Sequence, residues 1–213
     1  MMKRVAIVFA FLGLIFAVST ASADDFNAPD WREDPYTTYS IWEFDTDTNP
    51  TGPDSWSYVP GDYTPALTSP TLTVSGLATH KPEDMGEYGV WKFEDDIAIE
   101  IDNFPEENDY KEIWMQLTYY ASGPPDVYAE VGVDTFWGTE IFSEASGDYI
   151  HGIWQIIIEP NPSSEVIFIA PRDCTAYMDE IVIDTICIPE PATICLLGLG
   201  ALALLRKRKG IIQ

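Results

Sequence analysis

Alternation of hydrophobic and polar residues along the middle of the chain predicts β-strands. In the segment at 96–102, Ile97, Ile99 and Ile101 fall on one face, and the residues between them fall on the other. The segment at 40–45 alternates in the same way, with two aromatic residues on one face and two acidic residues on the other. A period of two residues is typical of a strand that buries one face.

Further segments rich in β-branched and aromatic residues predict more strands, separated by Pro, Gly, Asn and Asp. They lie at 111–121, 126–133, 151–159, 165–170 and 177–186, with weaker candidates at 55–59, 67–76 and 88–94. No clear helical periodicity interrupts them. Eight to ten strands at this spacing predict an all-β fold, an antiparallel β-sandwich of jelly-roll-like architecture.

The two ends of the chain have a different pattern. The first four residues are basic in character, and Val5 to Val18 form an uncharged apolar run of 14 residues. Ala21 and Ala23 then occupy the small-residue positions that signal peptidase requires. This layout predicts a signal peptide over 1–23, with an apolar helix at its centre, and export of the remaining chain.

A second apolar run lies near the C-terminus, from Ala192 to Leu205, again 14 residues without charge. As a helix it would be about 21 Å long, against about 30 Å for the hydrocarbon core of a bilayer. It is therefore a marginal transmembrane helix. The basic residues 206–209 that follow would stay on the cytoplasmic side and leave the rest of the chain outside.

A short motif precedes that run. The tail resembles the PEP-CTERM sorting signal, because a PEP triplet, an apolar helix and a basic cluster follow one another; the residues are Pro189, Glu190, Pro191, Arg206, Lys207, Arg208 and Lys209. The resemblance implies that the membrane enzyme exosortase recognises the tail, which anchors the protein transiently in the membrane. Cleavage near the triplet would then deliver the protein to the cell surface or the extracellular space. Three parts are thus expected: 1–23, 24–187 and 188–213.

The middle part is strongly acidic. Of the 11 Lys and Arg residues, two lie in the signal and four in the tail, so five remain against 34 acidic residues, which gives a net charge of −29 for 24–187. Such a surface repels nucleic acid and anionic lipid and attracts divalent cations. Nucleic-acid binding is therefore excluded. The high content of Trp, Tyr and Ile still indicates a packed core and not a disordered chain.

The cysteines predict no intramolecular disulfide. Cys195 lies in the apolar tail, which leaves Cys174 and Cys187. If 177–186 is one extended strand, it spans roughly 30 Å. A disulfide requires Cα atoms within about 7 Å.

One candidate metal site is calcium. Asp45 and Asp47 provide oxygen ligands at alternating positions, but Pro50 is incompatible with an EF-hand. The stretch at 177–183 is similar to the last strand of jelly-roll carbohydrate-binding modules, which often hold a structural calcium ion between an early loop and that strand. This similarity implies a shared ion for Asp45, Asp47 and Asp179. The alternative is a solvated turn with outward-facing acids.

The seven Trp residues supply candidate ligand-binding groups, because an exposed indole ring can stack on the apolar face of a sugar. Trp31, Trp56 and Trp137 lie in expected loops and are the better candidates for such stacking. The other four lie within strand patterns and are expected in the core: Trp42, Trp91, Trp114 and Trp154.

Catalysis has little support in the sequence. The only histidines, His80 and His151, are isolated and have the character of ordinary surface residues, and 34 acids offer too many carboxylate pairs to single one out. We therefore expect a non-catalytic, surface-sorted protein of the extracellular matrix or biofilm that binds polysaccharide. The alternatives are a small secreted polysaccharide-active enzyme and a purely structural coat component.

Overall fold

The computed structural model describes residues 25–49, 51–60, 67–76, 78–84, 87–104, 109–172 and 175–188. The predicted signal peptide and the predicted C-terminal transmembrane helix lie outside these residues. Within the described part of the chain, no helix has the length and apolar character needed to cross a membrane.

Thirteen strands make up the regular structure of the described residues. Their bounds are β1 (Thr37–Trp42), β2 (Ser55–Val59), β3 (Thr71–Val74), β4 (Thr79–Asp84), β5 (Glu87–Phe93), β6 (Ile97–Asp102), β7 (Tyr110–Tyr120), β8 (Asp126–Val131), β9 (Asp134–Trp137), β10 (Thr139–Ser146), β11 (Tyr149–Ile158), β12 (Ser164–Ala170) and β13 (Ala176–Ile188).

These strands form two sheets in which every described pairing is antiparallel. Sheet A has eight strands in the order β10-β11-β7-β13-β1-β2, with β5 also paired to β13 and β4 paired to β5. Sheet B has five strands in the order β3-β6-β12-β8-β9. The prediction of an all-β, antiparallel fold is confirmed.

The inward faces of the two sheets share one apolar core. Ile97, Ile99 and Ile101 are buried in it, as their alternation predicted, and Trp42 of β1 and Phe44 of the loop after β1 join them. The members of this core all lie between residues 42 and 183. Residues 24–188 therefore contain every described strand together with the core, so we expect this segment, called the body below, to fold on its own.

Three strands have no counterpart in the sequence prediction: β4, β9 and β10. All eight residues of β10 are exposed, and β9 has only four residues. Both are edge strands, which need not alternate in hydrophobicity because little of their surface is buried.

Strand β13 runs without interruption through the segment on which the disulfide argument depends. Cys187 is buried near the far end of this strand. The strand therefore separates Cys187 from the residues before β13, as the disulfide argument requires. Cys174 lies outside the described residues, so the absence of a disulfide stays a prediction.

A buried ion pair links the two sheets at one end of the sandwich. Lys111 of β7 donates from Nζ to Glu165 Oε1 of β12 and to Asn103 Oδ1. Asn103 Nδ2 in turn donates to Glu165 Oε2 at 2.5 Å and to the carbonyl oxygen of Pro162 at 2.8 Å. Both charged side chains are fully buried. The charges are tolerated inside the core because each is paired and hydrogen-bonded.

We expect Lys111→Met to destabilise the body by about 3–5 kcal/mol, because it leaves the Glu165 carboxylate buried without its counter-charge. The double variant Lys111→Met/Glu165→Gln removes both charges and keeps an amide that can accept from Asn103. It should recover much of that loss. Urea denaturation of the body gives both free energies of unfolding. A double variant that is no more stable than Lys111→Met would contradict this account.

Candidate functional site

The outward face of sheet A is crossed by the segment before β1, residues 25–36, which we call the N-terminal strap. Phe26 places its ring 4.7 Å from the ring of His151 on β11 and 6.3 Å from that of Phe142 on β10. The Asn27 backbone N–H donates to Gln116 Oε1 on β7 at 2.9 Å. Ile153 is fully buried although it is not part of the core between the sheets. The strap therefore covers part of this face, and Phe142 and Ile157 keep exposed surface beside it.

The strap is held by Arg32. Its guanidinium donates to both carboxylate oxygens of Asp184 on β13, with Nη2 at 2.6 Å from Oδ2. It also donates to both oxygens of Asp25, and Cζ lies 4.3 Å from the ring centre of Tyr39 on β1. Gln116 Nε2 donates to Asp25 Oδ1 at 2.8 Å. Bidentate arginine–carboxylate pairs fix geometry as well as charge.

Burial is the largest single influence on the pKa values of the residues around Arg32. Desolvation raises the pKa of Asp184 to about 6, even though hydrogen bonds from Arg32 lower it. Burial also raises the pKa of the Tyr39 hydroxyl, with the negative charge of Asp25 as the next cause. Burial lowers the pKa of Arg32, but the hydrogen bonds to Asp184 and Asp25 outweigh it, and the net shift is upward.

The outward face of sheet B carries a row of three aromatic side chains, here called the aromatic row: Trp137 on β9, Tyr128 on β8 and Phe168 on β12. They are cross-strand neighbours, since Tyr128 pairs with both of the others. Tyr128 and Phe168 stack with ring centres 5.1 Å apart and planes at 16°. Trp137 lies 5.1 Å from Tyr128 at a tilt of 43° and is 63% exposed. The indole is thus a fixed, exposed apolar surface supported by two further rings.

Two glycines help to place the row. Gly132, at a φ of 63°, lies in the two-residue turn between Val131 and Asp134, where a positive φ is required. That turn sets the register in which Tyr128 faces Trp137. Gly138, next to the indole, donates its N–H to the Val127 carbonyl oxygen at 2.8 Å. A Cβ there would lie 3.0 Å from that oxygen, so a larger residue at this position would crowd the β8 backbone.

Carboxylates surround the aromatic row. The Tyr128 hydroxyl lies 3.4 Å from Asp96 Oδ2. Burial raises the pKa of Tyr128, and the charges of Asp96 and Glu130 raise it further. Glu130 is exposed two residues along β8 from Tyr128, on the same face. Such a surface can hold a ligand with an apolar face and polar or positively charged substituents.

The structure separates the three predicted stacking residues. Trp137 lies in β9, so the expectation that it lies in a loop is wrong. Trp56 lies in β2, which matches the weaker strand candidate at 55–59 and not the loop expected for its indole. Trp56 is half-buried and stacks on Tyr58 at 5.6 Å, in sheet A. Trp31 is half-buried in a turn of the N-terminal strap. Only Trp137 among these three belongs to the aromatic row.

The other tryptophans divide into two groups. Trp42, Trp91 and Trp154 are buried in the core, as expected. Trp114 differs, because it pairs with Asp184 on the outward side of sheet A and is only half-buried. Both faces of β7 carry large apolar groups where the N-terminal strap covers it, so the strand pattern alone did not show which face was the core.

Sequence reasoning missed Tyr128 and Phe168. Their signal was present: in β8 the small apolar residues Val127 and Ala129 are buried, which places Tyr128 on the outward face. In β12, Phe168 stands between Ile167 and Ile169, which are fully buried. An aromatic residue at an outward position of two predicted strands indicates an aromatic surface, provided that the strands are known to be neighbours.

The residues proposed for calcium are not gathered into a site. Asp45 and Asp47 are exposed in the loop after β1, and Asp179 is half-buried in β13. No group of three or more His, Cys, Asp or Glu side chains in the described ranges is arranged to hold a metal ion. Calcium binding therefore stays a prediction without geometric support.

The histidines have structural contacts. His151 is buried, beneath Phe26, and its Nδ1 lies 3.1 Å from the Thr118 hydroxyl, so the expectation that it is a surface residue is wrong. His80 lies in β4 and not in a loop, with Nε2 at 2.8 Å from the Phe44 carbonyl oxygen.

Comparison with known proteins identifies the tail. Residues 188–209 match the model of the PEP-CTERM protein-sorting motif. This confirms the resemblance predicted from the sequence, and the residues named for it above lie within the matched segment and outside the described residues. The motif implies exosortase as a processing partner, and export with membrane-anchored transit before surface release. No curated protein matches the chain.

The raised pKa of Asp184 predicts a pH dependence of stability. The folded state holds this proton up to a pH of about 6, whereas the unfolded state loses it near 3.8. The contribution of Asp184 is therefore full below 3.8 and is lost as pH rises through about 6, by up to about 3 kcal/mol. The difference in unfolding free energy between the body and its Asp184→Asn variant, from urea denaturation at several pH values, measures this. A difference that is constant between pH 3.5 and 7, or that grows in favour of the unsubstituted body with rising pH, would refute the assignment.

Proposed function

We propose that this is an exported, surface-sorted, non-catalytic protein of the extracellular matrix or biofilm that binds polysaccharide through the aromatic row. The observation that supports this is the exposed indole of Trp137, held by Tyr128 and Phe168 on the outward face of sheet B. Large exposed aromatic side chains are costly in solution and are typical of binding surfaces.

The geometry of the aromatic row suits a sugar chain. Neighbouring strands lie about 4.8 Å apart, so rings on three adjacent strands extend over roughly 10 Å across the sheet. A sugar buries its apolar C–H face against an aromatic ring while its hydroxyls stay outside, and the carboxylates beside the row can accept hydrogen bonds from them. The exposed residues of the row therefore favour an extended glycan over a compact apolar ligand.

The strand order supports the finer assignment of the fold as a jelly roll. Without β1–β4 and β10, eight strands remain in two sheets, β5-β13-β7-β11 and β6-β12-β8-β9. The chain passes from one sheet to the other at each step of this set except the β8–β9 hairpin. Two interleaved Greek keys of this kind define a double-sheet jelly roll, an architecture found in lectin domains.

A non-catalytic role is supported by the positions of the histidines, which lie on different strands, where His80 contacts a backbone carbonyl oxygen and His151 a threonine hydroxyl. The competing function is a small polysaccharide-active enzyme. Release of reducing sugar from a bound polysaccharide by the body would favour the enzyme, whereas saturable binding without turnover favours the binding protein.

Trp137→Ala should weaken polysaccharide binding about thirtyfold, because about 2 kcal/mol of apolar contact is lost. Affinity electrophoresis of the body in gels that contain single polysaccharides measures the change. Trp56→Ala is the matched control, since it removes an indole from sheet A. Equal weakening by both variants, or weakening by Trp56→Ala alone, would place the binding surface elsewhere.

Processing at both ends predicts the mass of the mature protein. The form outside the inner membrane should begin at Asp24 and end near Pro189 to Pro191. Intact mass spectrometry of protein recovered from separate cell fractions tests this. Recovery of the full-length tail in the inner membrane alone would argue against release to the surface.

A further inference from the structure

The charges beside the aromatic row narrow the class of polysaccharide that the row would bind. This inference rests on the proposed function. Glu130 on β8 and Glu100 on β6 both pair with Val166 on β12, which lies between them. They therefore stand on the outward face of sheet B, one row along the strands from Tyr128 and Phe168. Both are exposed, and neither has an ion-pair partner among the described residues.

The positively charged groups of the body are already engaged. Arg32 contacts Asp25 and Asp184, and Lys111 contacts Glu165. Arg172 contacts Asp126 at 2.5 Å and Lys92 contacts Glu94 at 3.8 Å. The remaining basic residue, Lys81, also has a partner. A polysaccharide rich in carboxylates or sulfates would find the basic residues of the described surface already in contact with partners, including the exposed Arg172 beside Asp126, and would meet a net charge of −29.

This surface attracts an ammonium group, whereas it repels an anion. The ammonium group is attracted to the carboxylates of Glu100 and Glu130, and an aromatic face such as that of Trp137 attracts cations as well. We propose that the aromatic row binds an amino-sugar polysaccharide with free amines, and that Glu100 and Glu130 select it over the N-acylated form. The aromatic rings would hold the sugar backbone, and the two glutamates would contact its ammonium groups.

The test compares three oligosaccharide probes of equal length: a glucosamine hexamer, the N-acetylated form of the same hexamer, and an oligomer of uronic acid. Isothermal titration calorimetry of the body is made at a pH that keeps the amines charged. We expect the glucosamine hexamer to bind about fivefold more tightly than its N-acetylated form, since two exposed ion pairs contribute that much. The preference should shrink as salt is added, and the uronic acid oligomer should bind most weakly.

Glu100→Gln/Glu130→Gln should abolish the preference while it leaves the affinity for the N-acetylated hexamer unchanged. The matched control is Glu140→Gln/Glu144→Gln, which removes two exposed carboxylates from β10 on sheet A. This control should keep the preference. If both double variants reduce it equally, the attraction comes from the overall charge of the body, and the inference is overturned.

The outcomes separate this inference from the proposed function. If both hexamers bind equally and Trp137→Ala abolishes the binding, the glycan site stands and the selection of amines is refuted. If the body binds none of the three probes or any other polysaccharide, the proposed function fails together with the inference. Tighter binding of the uronic acid oligomer would refute the charge argument alone.

Discussion

The body depends on the long strand β13. It pairs with β7 on one side and with both β1 and β5 on the other, so it joins the first and last parts of the chain in one sheet. Every residue from Glu180 to Cys187 is buried. Its inward side chains meet sheet B, while Asp184 on its outward side meets Arg32 of the N-terminal strap. Strand β13 thus contributes to the core between the sheets and also anchors the N-terminal strap.

The covering of one face makes the two sides of the sandwich unequal. Part of a second apolar surface, on sheet A, is covered by the strap, with Asp25, Phe26 and Arg32 contacting strands from β10 to β1. The aromatic row of sheet B has no such cover among the described residues. Sheet A also keeps exposed apolar side chains beyond the strap, among them Tyr120, Phe142 and Ile157. Trp137 is the most exposed aromatic side chain of the described residues and belongs to a cluster of three rings, which supports the binding role proposed above.

More of the fold than of the candidate site could be predicted from the sequence. Alternation located most strands, because a half-buried strand leaves a period of two whatever its neighbours are. The site depends on which strands are neighbours, and Tyr128, Trp137 and Phe168 meet only through the pairing of β8 with both β9 and β12. Trp137 could be proposed on its own as a binding residue. The strand that carries it could not be predicted, because β9 and β10 are exposed and lack a regular pattern. Asp45, Asp47 and Asp179 are proposed from spacing and similarity, which do not by themselves bring ligands together, and calcium binding there stays a prediction.

The end of β13 marks the boundary between the described strands and the sorting motif. The Ile188 carbonyl oxygen still accepts from the Asp109 N–H at 3.0 Å, and the Cys187 N–H donates to the Tyr36 carbonyl oxygen at 3.0 Å. The matched sorting motif begins at residue 188, where these hydrogen bonds end. Cleavage near the PEP triplet would thus leave these two hydrogen bonds in place. The aromatic row lies on the other sheet from β13, the strand that leads into the sorting motif.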